Sequence, residues 1–379
     1  MGERIDMHDP TPNLEELRRE IAAIDRSIAA GIAQRLAIAR KIGAVKAETH
    51  EPTRDYEVEA HVVDRWRREL EAGGIPAGRA EAFARWLVEE SVRVQQESRA
   101  PIPTPAAAAG EVSIVGGAGA MGRWLADYFE DSGHRVSVVD PRASPGGRPA
   151  YPDVETAATR AEVIVLATPI RSTAPVLRRL LATGTDALIF DVLSVKAPVS
   201  NLLRSAAEAG RRVTSVHPMF GPSARTLSGR NLLIVSCGVP EADRAARSLF
   251  ARSALSIAEV PLERHDLLIA ESLGLAHAVN LLFLTALASD PASPHELAQA
   301  ASTTFHRQSS LARSVADEGP ELYLDIQSSN PHSWGMYQEL RQSLDRLAGL
   351  VEQGNLGEFT ELLRSGAAKL EPGGEPMRS

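Results

Sequence analysis

Cysteine is all but missing from this 379-residue sequence. Cys237 stands alone, which excludes a disulfide within the chain and any metal cluster built on cysteine. Net positive charge is missing too. The 41 lysines and arginines are outnumbered by 49 aspartates and glutamates, and the resulting charge of −8 argues against a nucleic-acid partner, whose phosphates need compensating cations. No block of like charge forms a tail. The opening MGERIDMHDPTPN is polar and lacks the apolar core of a secretory signal. No apolar run is expected to span a bilayer, so the expected compartment is the cytoplasm. Lysine is scarce as well: Lys41, Lys46, Lys196 and Lys369 are the only ones, and against an arginine background each invites a chemical reason.

What remains is ordinary globular composition, with 44% hydrophobic and 24% charged residues, in a chain long enough for about two or three domains. The most informative stretch is Glu111 to Asp140, EVSIVGGAGAMGRWLADYFEDSGHRVSVVD. A β-branched run, Val112 to Val115, reads as a buried strand, Met121 to Phe129 as a helix, and Arg135 to Val139 as a second strand. Gly117, Gly119 and Gly122 between them make G-x-G-x-x-G. Gly117 is expected to permit the tight turn, Gly119 to let a pyrophosphate approach the backbone, and Gly122 to let the helix pack close. The free N–H groups of the helix then face the phosphates. Asp140 ends the second strand, where a carboxylate takes ribose hydroxyls and repels a 2′-phosphate. The reading is NAD ahead of NADP, with Arg142 as the residue that could accept a phosphate instead.

Ahead of this stretch the pattern is helical. Asn13 and Glu16 have capping-box spacing, and Leu17, Ile21, Ile24, Ile28, Ile32 and Leu36 recur at three- and four-residue steps. One long helix follows, and then two more, about Asp55 to Ala72 and Pro76 to Glu97, separated by Gly73-Gly74. Arg35 and Lys46 lie eleven residues apart, which puts them on one side of the first helix about 16 Å apart, whereas Arg18 points about 100° away. LRREIAAID, AQRLAIARKIGAVK, PTRDYEVEA and EESVRVQQ resemble the all-helical chorismate mutase domain over about residues 13 to 97. The resemblance implies an intertwined dimer that lends Arg18 across subunits. It implies that Arg35 and Lys46 hold the carboxylates and ether oxygen, that Asp55 and Glu59 meet the ring hydroxyl, and that Ser91 and Gln95 complete the contacts. A pericyclic rearrangement needs only such a clamp and donors. Val58 departs from the family, which often carries arginine there. The competing reading is a mutase fold kept for dimerisation alone.

Ser98 to Gly110, rich in proline and alanine, reads as a linker. Strand-like runs then fall at Val163 to Thr168, Ala187 to Val192, Arg212 to Val216, Asn231 to Cys237 and Leu255 to Val260, with helices between most of them. This predicts a doubly wound, mainly parallel sheet whose later strands are mixed in direction. Ligands of such sheets sit beyond the strands' carboxyl ends, where Thr168, Ser194, Lys196 and His217 fall. His217 is the candidate base for a hydroxyl proton, and Ser194 the candidate to orient its ring. Lys196 has three readings: cofactor contact, substrate contact, or helix cap.

The motifs VGGAGAMG, ATPI, DVLSVK and HPMFGP resemble prephenate dehydrogenase, in order and at suitable spacing. With the N-terminal segment, the chain resembles a bifunctional chorismate mutase/prephenate dehydrogenase of tyrosine synthesis. The boundaries expected are 1–97 for an all-α mutase domain, 98–110 for the linker, 111–260 for a Rossmann-type NAD domain and 261–379 for a helical dimerisation domain. Helices are predicted there over Asp266 to Leu287, His295 to Asp317, Pro320 to Gln353 and Leu356 to Leu370. The resemblance adds Met121 and Thr168 to the cofactor contacts. It places His265-Asp266 and His277 near the site and gives Arg313, with Arg307 as fallback, a prephenate carboxylate. His295, His306 and His332 read as surface. It further implies a homodimer, with tyrosine as a feedback inhibitor. The alternatives are a prephenate or arogenate dehydrogenase whose helical front is a dimerisation or regulatory module, and a β-hydroxyacid dehydrogenase, whose usual lysine has no counterpart here.

Overall fold

The structure, a computed structural model, describes residues 13–49, 55–97, 110–142, 147–224, 227, 230–251, 253, 255–289, 291–317 and 319–370. The polar first twelve residues and all of the expected linker except Gly110 lie outside them. Three helices come first: α1 (Leu14–Thr49), α2 (Tyr56–Ala72) and α3 (Ala77–Glu97). Asn13 starts α1 as the spacing predicts, its Oδ1 accepting from the N–H of Glu15 at 2.7 Å while Glu16 takes the Asn13 N–H at 3.2 Å. Asp55 caps α2 through the Val58 N–H at 3.1 Å. Val63, Ala84, Val88 and Val92 form a small core between α2 and α3. Gly43 is the point of close approach of α1 and α3, where a Cβ would lie 2.8 Å from the Cα of Gln95. Most of the apolar stripe of α1, including Leu14, Ile21, Ile24 and Ile28, is exposed in the single chain.

The middle of the chain alternates as read: β1 (Glu111–Val115), α4 (Ala120–Asp131), β2 (Arg135–Val139), β3 (Ala150–Tyr151), α5 (Val154–Ala158), β4 (Val163–Leu166), α6 (Ile170–Ala182), β5 (Leu188–Asp191), α7 (Ala197–Glu208), β6 (Val213–Pro218), β7 (Asn231–Ser236), α8 (Pro240–Leu249) and β8 (Ser256–Pro261). The eight strands run in the order β3-β2-β1-β4-β5-β6-β7-β8. β3 through β6 are parallel, β7 is antiparallel to β6, and β8 runs with β7, so the later strands are mixed as expected. The two-residue β3 is too short to leave a pattern in the sequence. Each face of the sheet buries its own cluster, one around Leu125, Phe129 and Phe250, the other around Ile164, Leu177 and Leu203.

The remainder is helical: α9 (Leu262–Ile269), a π-helical turn at Ala270–Gly274, α10 (Leu275–Ala288), α11 (Pro294–Gln299), α12 (Thr303–Asp317), α13 (Pro320–Ser329), α14 (Ser333–Gln353) and α15 (Leu356–Ala368). Two predicted helices are each broken in two. Ser302 accepts the Phe305 N–H at 3.1 Å and so begins α12 afresh. At Asn330 the backbone turns extended, φ −83° and ψ 118°, because the following Pro331 disfavours a helical residue before it. The expectation about apolar runs also fails on one count. Leu262–Ala288 is long and apolar enough, by length and composition, to cross a membrane. It opens with His265 and Asp266, both buried and hydrogen-bonded within the protein.

Candidate functional site

The turn after β1 is built on Gly116, not on Gly117 as the motif suggested. Gly116 has φ +88°, and a Cβ there would lie 2.6 Å from the carbonyl oxygen of Ala167. Gly117 has a packing task instead, since its Cβ would fall 2.5 Å from a methyl of Val138. Gly119 precedes the first residue of α4, and a Cβ on Gly122 would sit 2.2 Å from the Gly116 oxygen. The loop therefore lies flat against the strand ends and leaves the N-terminus of α4 open to an anion. Met121 packs half-buried on the core below.

Asp140 stands at the end of β2 beside this loop. One oxygen accepts the Ala118 N–H at 2.9 Å, and the other accepts from the backbone N–H and Nε of Arg142 at 2.9 and 3.2 Å. Burial pushes its pKa up, but these hydrogen bonds outweigh it and hold the carboxylate below its usual range. Thr168, at the end of β4, pairs its hydroxyl with that of Thr173 at 2.7 Å. A turn closed to a Cβ at Gly116, Gly117 and Gly122, an open helix terminus and an ionised aspartate fit a dinucleotide with free ribose hydroxyls.

His217 lies at the carboxyl end of β6 and is 2% exposed. Its Nδ1 is 3.0 Å from Nε2 of His265, whose own Nδ1 is 2.7 Å from Oδ1 of Asp266. Asp266 is fixed in turn. Its two oxygens accept the N–H groups of Lys196 and Ala197 at 2.8 and 2.7 Å, and Asn330 donates to its backbone carbonyl at 2.7 Å. Burial, then the Lys196 ammonium, then His265 push the pKa of His217 well below 6.5. His265 is lowered as well, by burial acting against its hydrogen bond to Asp266.

Two expectations change here. Ser194 is half-buried, but the ring of His217 is held by His265, and no hydrogen bond joins it to Ser194 among the described residues. Lys196 stands at the N-cap position of α7, as one of its readings had it, but its side chain makes no cap bond and turns into the protein instead of towards a ligand. It is 1% exposed, with Nζ donating to Asp191 at 2.8 Å, the Leu193 carbonyl at 2.7 Å and the Val216 carbonyl at 2.9 Å. All three ammonium protons are thus spent on tying β5, the loop after it and β6 together. His277 is half-buried, edge-on to Tyr323 at 4.5 Å. Arg313 and Arg307 are both exposed, so the single chain does not bring either to His217. His295, His306 and His332 are exposed as read.

In the helical front, Arg35 reaches from α1 to α3, donating to the Leu87 carbonyl at 2.8 Å and to the Ser91 hydroxyl. Burial and the neighbouring Arg65 lower its pKa. Gln95 donates to the Ser91 carbonyl at 3.2 Å, and its buried Oε1 has no hydrogen-bond partner among the described residues. Through Gly43, one turn ahead of half-buried Lys46, α1 comes against Gln95. Arg35, Ser91 and Gln95 are thus brought together, while Arg18 is exposed far along α1. Sequence reasoning missed Gly116, Asn330, Arg65 and the direct bond between His217 and His265. Only the adjacent glycine in VGGAGAMG signalled any of these.

Three family models match in chain order: chorismate mutase type II over residues 17–96, the prephenate dehydrogenase nucleotide-binding domain over 149–233, and the prephenate dehydrogenase dimerization domain over 261–365. The chain is 32% identical over 266 residues to the 4-amino-4-deoxyprephenate dehydrogenase of Streptomyces pristinaespiralis, a match covering 67% of this chain and 88% of that protein. The chain belongs to the prephenate dehydrogenase family. Ahead of this family's two domains it carries a chorismate mutase domain, so an isomerase and an NAD-dependent oxidoreductase share one polypeptide. The likeness to the T-protein of Enterobacter agglomerans runs along most of both chains, 26% identical over 91% of this chain and 90% of that protein. The fold of the rear two domains is that of prephenate dehydrogenase from A. aeolicus, with a TM-score of 0.57 at 18% identity over 70% of this chain and 98% of that one.

Proposed function

We propose that the helical front rearranges chorismate to prephenate and that the rear of the chain oxidises prephenate to 4-hydroxyphenylpyruvate and CO2. The observation that carries the second step is the position of His217, buried and neutral, on the same edge of the parallel sheet as the glycine cradle. NAD, when bound there, accepts the hydride from the hydroxyl-bearing carbon. His217 takes the hydroxyl proton as that hydride departs. Aromatisation of the ring drives loss of the carboxylate, so the protein needs no further acid or metal. Asp140 holds the ribose hydroxyls, Gly117, Gly119, Met121 and Gly122 shape the phosphate cradle, and Thr168 and Ser194 border it. His277 and Arg313 border the prephenate site, Arg313 when a second subunit brings the helical domains together. In the front domain Arg35, Lys46, Ser91, Gln95, Glu59 and Asp55 line the mutase site, with Arg18 of a second subunit. The protein acts as a cytoplasmic homodimer, and tyrosine is its candidate inhibitor.

A second reading has a specific observation behind it. The Streptomyces relative is named for a substrate with an amine in place of the hydroxyl. A neutral base suits that substrate equally, because an ammonium must lose a proton before its carbon can release hydride. The purified chain is to be given NAD with chorismate, with prephenate, and with 4-amino-4-deoxyprephenate, and NADH followed. NADH from prephenate and from chorismate is expected. NADH from prephenate but not chorismate reduces the front domain to a dimerisation module. A kcat/KM higher for the amine assigns the chain to the second reading, and no NADH from any of them overturns both.

A further inference from the structure

We infer that Asp266 and His265 act as a positioning pair that keeps the proton of neutral His217 on Nδ1, so that the bare Nε2 is the nitrogen offered to the substrate. The inference rests on His217 being the base. Hydrogen-bond polarity carries it step by step. An ionised carboxylate only accepts, so the 2.7 Å contact with Asp266 puts the proton of His265 on Nδ1. A neutral His265 with that proton has a bare Nε2, which can only accept. The 3.0 Å contact then fixes the proton of His217 on its Nδ1. Among the described residues Nε2 of His217 has no hydrogen-bond partner. With the opposite tautomer, His217 would point an N–H at the substrate hydroxyl and could not remove its proton.

The anchor of the pair is rigid. The Asp266 carboxylate is held by two backbone N–H groups at the start of α7, and its own carbonyl by Asn330. The charged groups around the two rings are Lys196, Asp191 and Asp266. Lys196 is already paired with Asp191, so Asp266 is the one that speaks to the rings directly. An aspartate bonded straight to His217 would favour its protonated form. Placing neutral His265 between them supplies an acceptor without a full negative charge, which is consistent with a base that stays unprotonated well below 6.5.

The reaction's proton balance shows that the pair need not conduct. The hydroxyl proton passes to Nε2 and the hydride to the nicotinamide. The bond to the ring carboxylate breaks, its electron pair enters the ring, CO2 leaves, and the phenolate oxygen recovers the proton from Nε2. Prephenate dianion and NAD thus give hydroxyphenylpyruvate anion, CO2 and NADH with no proton left over. The pair therefore works as a tautomer lock.

The test is histidine ¹⁵N NMR on the full-length chain, assigned by the signal lost in His217→Asn, with kinetics of two His265 variants. In the wild type Nδ1 of His217 is expected to carry the proton and Nε2 to be bare at neutral pH. His265→Leu should lower kcat on prephenate about 10²-fold, leave the KM for NAD unchanged, and move the His217 proton to Nε2. His265→Gln, whose amide oxygen replaces the Nε2 acceptor, should recover kcat to within about tenfold of wild type. An Nε2–H on wild-type His217, or undiminished kcat in His265→Leu, overturns the pair. Should His265→Leu fail to bind NAD, the wild-type spectrum and His265→Gln decide alone. Full turnover in His217→Asn would sink the assignment of the base, whereas an inactive His217→Asn beside an unimpaired His265→Leu sinks the pair only.

Discussion

Lys196 and His217 are neighbours in the fold with opposite assignments. Lys196 has no proton left for a ligand, since its ammonium serves Asp191 and two backbone carbonyls. Removing the ammonium by Lys196→Met strands the Asp191 carboxylate, of which one oxygen already lacks a partner among the described residues. Breaking a buried pair on one side costs about 3–5 kcal/mol, so the urea midpoint should fall markedly, while the KM for NAD of the folded fraction stays within about twofold. An unchanged midpoint would show that the pair stabilises nothing. At His217 the expectation is kinetic: Asn there should cost about 10²–10⁴ in NADH formation from prephenate and leave chorismate turnover intact. The sequence singled out His217 because it falls at the carboxyl end of a predicted strand, beside that of Ser194 and downstream of the glycine fingerprint, all of which local patterns reveal. It left Lys196 open among three readings because its burial depends on Val216, twenty residues away. The His265 bond was equally hidden, its partner being 48 residues distant.

Among the elements, periodicity located α1, α2, α3 and seven of the eight strands, all but the two-residue β3, since burial on one or both sheet faces writes itself into residue order. Breaks inside long helices were not legible. Ala300 to Ser302 and Asn330 to His332 interrupt runs whose apolar spacing continues across them, and Asn330 turns away to hold Asp266. By helix propensity alone, alanine at Gly43 would be favoured by about 1 kcal/mol. The packing reverses that expectation. A methyl at Gly43 meets backbone, 2.8 Å from the Cα of Gln95, and backbone cannot rotate aside. Gly43→Ala should therefore push α1 off α3 beside Ser91 and Gln95 and cost about 1–3 kcal/mol despite the gain in helix propensity. Chorismate turnover should drop at least about tenfold, while NADH formation from prephenate is unchanged. Normal mutase turnover in this variant would mean that the α1–α3 contact does not shape that site.

At the scale of the whole molecule, two consequences follow from what is buried and what is not. His217 and His265 are both held neutral, with pKa values lowered by burial, whereas the unfolded chain protonates them near 6.5. Below that pH the unfolded state binds protons that the native state refuses, so stability is lost as pH falls, by up to about 1.4 kcal/mol per pH unit for each histidine. The melting temperature should decline from pH 7 to pH 5, and His265→Gln should flatten the decline. An equally steep decline in that variant would place the acid sensitivity elsewhere. The exposed side of the molecule is as telling. Leu14, Ile21, Ile24 and Ile28 on α1, and Trp334, Leu344 and Val351 on α14, are apolar and uncovered in the single chain. Such stripes are stable in water only when another surface buries them. A second copy pairing along α1 would cover the first stripe and carry Arg18 to the Arg35 and Lys46 of its partner, which Arg18 cannot reach within its own chain. Arg18→Ala and Lys46→Ala should each abolish chorismate turnover while sparing NADH formation from prephenate. Mixed after subunit exchange, the two inactive variants should regain turnover, because a heterodimer contains one site with both residues intact. Statistical mixing makes half the dimers hybrid with one good site of two, so the recovered rate should approach about a quarter of wild type. No recovery despite demonstrated exchange would mean that each mutase site is built within one chain.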